Sequence, residues 1–145
     1  MAVRPWHLVV LVWVPFLSVF VFAALGDTSA LHITSHLLAI ACLVPAVVLV
    51  LRLRGSVSTR AGRGVATVLA VVLPLAVLGH LAELGVAVAR LASDGWVNRD
   101  TADIWVRGPH VWAANVTVPA MMLSMLGVLV LAAAVRRSRP QQEVA

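Results

Sequence analysis

Four long apolar blocks, separated by short polar stretches, limit what this chain can fold into. A helix needs about 20 apolar residues to cross roughly 30 Å of hydrocarbon. Blocks at 7–25, 30–51, 65–91 and 110–135 meet that length. Apolar residues make up 61% of the 145 residues and charged residues 12%, against roughly 45–50% and about 25% in soluble domains. The sequence predicts an all-α integral membrane protein, an up-down four-helix transmembrane bundle. It forms a single domain over residues 1–139, with a short tail at 140–145. The first block reads as a span rather than a cleaved leader, because Gly26 and Asp27 read as a turn and no small-residue cleavage site follows the block.

The basic residues orient the spans. All eleven are arginine. Arg4, Arg52, Arg54, Arg60, Arg63, Arg136, Arg137 and Arg139 fall on one side. Arg90, Arg99 and Arg107 share the other side with Asp27, Asp94, Asp100 and Asp103. The positive-inside rule then places both termini in the cytoplasm and the chain in the plasma membrane. Trp96, Trp105 and Trp112 suit an outer aromatic belt, and Trp6 an inner one. The net charge of +5 belongs to these flanks, so nucleic acid is not an expected partner; the lipid bilayer is. A membrane-protein partner or a second copy of the chain is also compatible. Arginine without lysine, beside abundant alanine and valine, matches a GC-rich bacterial genome. The single cysteine, Cys42, excludes an internal disulfide and a thiolate cluster, and reads as a packing residue.

Each block contains one proline: Pro15, Pro45, Pro74 and Pro119. Each removes a helical hydrogen bond and bends its helix. Four bent helices suit either a central cavity or ordinary bundle packing.

The polar residues inside the blocks carry the functional expectation, because ionisable groups are expensive in hydrocarbon. Measured from the span centres at 1.5 Å per residue, His80 lies about 5 Å outward of the midplane, His36 about 7 Å and Glu83 about 9 Å. His32, at about 14 Å, and His110, at about 18 Å, lie nearer the outer surface. His32 and His36 are four apart and share a helix face. His80, Glu83, Ala87 and Arg90 form a stripe on the third span, which should turn inward.

Three chemistries fit. In the first, His36 and His80 are axial ligands of haem b between neighbouring helices, with Gly79, Ala39 and Ala82 leaving room for the macrocycle and Arg90 or Arg107 meeting a propionate. In the second, His32, His36, His80, Glu83 and His110 supply a transition-metal site, for which the i,i+4 pair His32–His36 has the right spacing. In the third, the His–Glu pair carries protons or serves a quinone. Against all three stands a structural role, in which membrane histidines hydrogen-bond across the bundle. His7 beside Trp6 reads as interfacial. Met121, Met122 and Met125 read as packing residues. The sequon Asn115-Val-Thr117 lies inside a helix and is discarded. Residues 98–106 form either a plain connector or a short helical lid over the site.

The segment Thr34-Ser35-His36-Leu37-Leu38-Ala39-Ile40 resembles the His-Leu-Leu helix openings of small four-helix membrane proteins of the haem–copper-oxidase-like kind, and of b-type membrane cytochromes. The resemblance covers one helix start and the four-span layout. It implies haem held between helices through histidine, and only His36 carries over. The second ligand, His80, rests on depth. No hydrolase triad, phosphate loop or protease signature is present. The expectation is a redox or accessory subunit with an outward-side haem or metal site. The alternative is a scaffold, or a small-molecule or lipid-binding bundle, with structural histidines.

Overall fold

The computed structural model describes residues 5–25, 28–95 and 108–137. They form four helices: α1 (Pro5–Leu25), α2 (Ser29–Arg54), α3 (Arg60–Asp94) and α4 (Pro109–Arg137). All four are long and apolar enough to cross a membrane. The helices contain the expected spans and overrun them where caps, rather than hydropathy, set the ends. The Thr28 hydroxyl accepts from the Leu31 N–H at 3.3 Å and starts α2. The Thr59 hydroxyl accepts from the Gly62 N–H at 3.2 Å, so α3 begins at Arg60, a full turn before its apolar block. Arg52 and Arg54 close α2, and Arg136 and Arg137 close α4, where cations complement the helix dipole. Gly95 and Gly108 flank the third connection with φ of 77° and 80°, a backbone region that favours glycine.

The helices stand in a ring. α3 packs most extensively against α4, then against α2, and α1 lies between α2 and α4. α2 and α4 therefore face each other diagonally, as do α1 and α3. The close α3–α4 seam depends on small residues, which drive helix association where lipid removes the hydrophobic contrast. A Cβ on Gly127 would lie 2.8 Å from Leu69 Cδ2, and one on Gly79 would lie 3.2 Å from Thr117 Cα and collide with the Thr117 hydroxyl.

The core has two storeys. Toward the arginine-rich end it is apolar, with Leu43, Val50, Leu69, Leu73, Val128 and Leu131 almost fully buried. On α2 the buried positions run 32, 36, 39, 43, 46, 50, 53, alternating steps of four and three that keep one face inward. The first two of these are histidines, so the upper storey is polar. Outward faces are rich in exposed leucine and valine, including Leu51, Val71, Leu78 and Leu126, the composition that a membrane-spanning helix presents to lipid. Met121 and Met125 pack in the core, whereas Met122 faces outward. Among the described residues of α1, none beyond Pro15 is buried. The expected lid at 98–106 and the tail at 140–145 lie outside the described residues.

Candidate metal centre

Three helices bring five polar side chains together at the end of the bundle opposite the arginine-rich end. α2 contributes His32 and His36 from its first two turns. α3 contributes His80 and Glu83. α4 contributes His110, its second residue. All five are buried, His110 most completely at 1% exposure. His32 and His110, expected near the surface, are thus as deeply enclosed as the other three. Enclosure follows the inward face of each helix, and both residues lie on it.

The contacts are short and share atoms. His32 Nε2 lies 3.0 Å from His110 Nε2 and 3.0 Å from His36 Nε2. Glu83 Oε2 lies 3.4 Å from His110 Nε2 and 4.0 Å from His36 Nε2. The other nitrogen of His36, Nδ1, meets His80 Nδ1 at 3.0 Å. Thus one nitrogen from each of three imidazoles converges with a carboxylate oxygen, while His80 braces His36 from behind. The Thr117 hydroxyl donates to the Ala113 carbonyl at 3.0 Å and also lies beside the Glu83 carboxyl.

Hydrogen bonding alone satisfies this arrangement poorly. A ring nitrogen offers one in-plane direction, either an N–H or a lone pair. His32 Nε2 would have to serve two neighbours at 3.0 Å from that one position. Two further buried atoms, Glu83 Oε1 and His80 Nε2, have no hydrogen-bond partner.

His32, His36 and His110 each present a donor atom within 4.8 Å of the others, as do His36, His80 and Glu83. A tetrahedral ion with ligand bonds of about 2.0–2.1 Å separates its donor atoms by roughly 3.4 Å. Four of the six edges among His32 Nε2, His36 Nε2, His110 Nε2 and Glu83 Oε2 are 3.0, 3.0, 3.4 and 4.0 Å, which bracket that value.

The chain matches no family model, no curated protein and no solved structure.

Of the residues expected to leave room for a macrocycle, Ala39 is buried on the inward face of α2. Gly79 is filled against Thr117, and Ala82 faces out of the bundle. The His36 and His80 rings meet nitrogen to nitrogen, with centroids 5.3 Å apart. Ala87 is buried on the same α3 stripe as His80 and Glu83, and Arg90 is partly buried. Thr117, read from the sequence only as part of a discarded sequon, stands beside the site. Its signal was its place on the inward face of α4, seven residues after His110.

Proposed function

We propose that this protein is a four-span subunit of the plasma membrane, both termini cytoplasmic, that holds one transition-metal ion near its outer face. His32, His36, His110 and Glu83 are its ligands. The observation that carries this reading is the convergence of three Nε2 atoms on one point, which a shared ion satisfies and ordinary imidazole hydrogen bonds do not.

His80 then acts on His36 rather than on the ion. A partner on the far nitrogen of a ligating imidazole fixes its tautomer and orientation, and His80 Nδ1 stands there. Glu83 balances part of the ion's charge, so the site does not bury an uncompensated cation. Three imidazoles and a carboxylate suit zinc, iron or copper. With iron or copper the protein is a redox subunit; with zinc it is an accessory subunit whose outer end is fastened by metal.

A single ion is favoured over haem, because direct contact between the His36 and His80 rings leaves no slot for a macrocycle between them. The test is elemental analysis of protein purified without an affinity tag or chelator, then reloaded with zinc, iron, copper or cobalt. About one tightly held ion per chain, lost in His32→Ala and His110→Ala, supports the reading. Protein that stays metal-free under all four loadings overturns it, and a Soret band returns haem to first place.

A further inference from the structure

A second site lies at the opposite end of the molecule, on its flank. The amino-terminal half of α1 and the carboxy-terminal half of α4 leave a groove of about 500 Å³ between them. Trp6 and Val10 line one side, Leu129 and Ala133 the other, and Arg136 and Arg137 close one end. The groove is therefore apolar along its length and doubly cationic at its mouth. Both arginines are exposed, as is Trp6.

The charge at this end is one-sided. Arg52, Arg54, Arg60, Arg63, Arg136 and Arg137 all lie here, whereas Glu83, the one acidic side chain among the described residues, lies at the other end. An occupant must offer an anion to two guanidiniums and a hydrocarbon chain to the alanine and valine walls. Guanidinium pairs well with phosphate oxygens. Basic pockets between transmembrane helices, at the level where tryptophan marks the interface, suit anionic phospholipid headgroups.

We infer that the α1–α4 groove binds an anionic phospholipid, its phosphate on Arg136 and Arg137 and one acyl chain along Val10, Leu129 and Ala133. The site is independent of the metal centre, which draws no ligand from α1.

Full-length protein exchanged into nanodiscs of phosphatidylcholine with a small fraction of phosphatidylglycerol tests this, with retained lipid read by native mass spectrometry after mild detergent release. The wild type should retain phosphatidylglycerol over phosphatidylcholine by about tenfold relative to the input. Arg136→Gln with Arg137→Gln should abolish that preference, while Arg136→Lys with Arg137→Lys keeps most of it. Ala133→Leu, which fills the groove without changing charge, should reduce retention of both lipids. Metal content should be unchanged in every variant, so failure here is distinct from failure of the metal site. Equal retention of the two lipids by the wild type overturns the inference. So does a preference that survives in the glutamine variant, or a dimer that Ala133→Leu dissociates, which would seat a second copy of the chain in the groove.

Discussion

The imidazoles of His32 and His110 meet Nε2 to Nε2 at 3.0 Å, although their helices stand diagonally across the bundle. Few side chains can bridge that diagonal, and these two do so where α2 and α4 both begin. The proposed centre therefore draws ligands from both sides of the bundle.

His32→Ala and His110→Ala should each remove one of three imidazole donors and bring metal occupancy close to zero. His80→Ala should behave differently. It should keep about one ion per chain under saturating metal but bind it about 10–100-fold more weakly, as expected for a group that only orients a ligand. Competition against a chromogenic chelator separates the two patterns. Equal losses in all three variants would place His80 on the ion itself.

Acid should release the ion. Protons compete with metal for each ligating imidazole, so binding expels protons and affinity rises with pH. Occupancy measured by dialysis should fall steeply from about pH 8 to about pH 5. The expected slope exceeds one proton per ion. A flat profile would mean that imidazoles do not hold the metal.

Metal should stabilise the folded chain and chelation should destabilise it. At free metal 100-fold above the dissociation constant, linkage contributes about 2.7 kcal/mol. Thermal unfolding in detergent, with and without chelator, reads this directly. The His32→Ala variant should show no shift between the two conditions.

Gly79→Ala should destabilise the α3–α4 seam by about 1–3 kcal/mol. Its new Cβ collides with the Thr117 hydroxyl and lies 3.0 Å from the Thr117 Cβ. Adding Thr117→Ala removes the hydroxyl but keeps that Cβ, so rescue should be partial. Full rescue would show that the backbones separate more easily than their contact implies.

The helical architecture was legible because apolar blocks of span length admit few alternatives. The inward stripe of His80, Glu83 and Ala87 was legible from helical spacing for the same reason. What linear depth could not convey was enclosure. His110 begins its helix and counted as superficial, yet its side chain turns across the bundle and becomes one of the least exposed among the described residues. Pairwise geometry was equally hidden, since the approach of α3 to α4 at Gly79 depends on Thr117, which lies 38 positions away in sequence. Where each helix ends beyond its apolar span was hidden for a related reason. Hydropathy marks where lipid stops, while Thr59 decides where α3 starts.

The two-storey core has a mechanical consequence. Interlocking aliphatic side chains fasten one end of the bundle and five polar groups fasten the other, with Pro15 marking where α1 stops sharing in the interior. Removing the ion should therefore fray the molecule from one end only. Amide exchange would accelerate in the first turns of α2 and α4, while the amides around Leu43, Leu69 and Val128 keep their protection. Metal supply would then govern how long the histidine end of the bundle stays shut, independently of whether the protein as a whole remains folded.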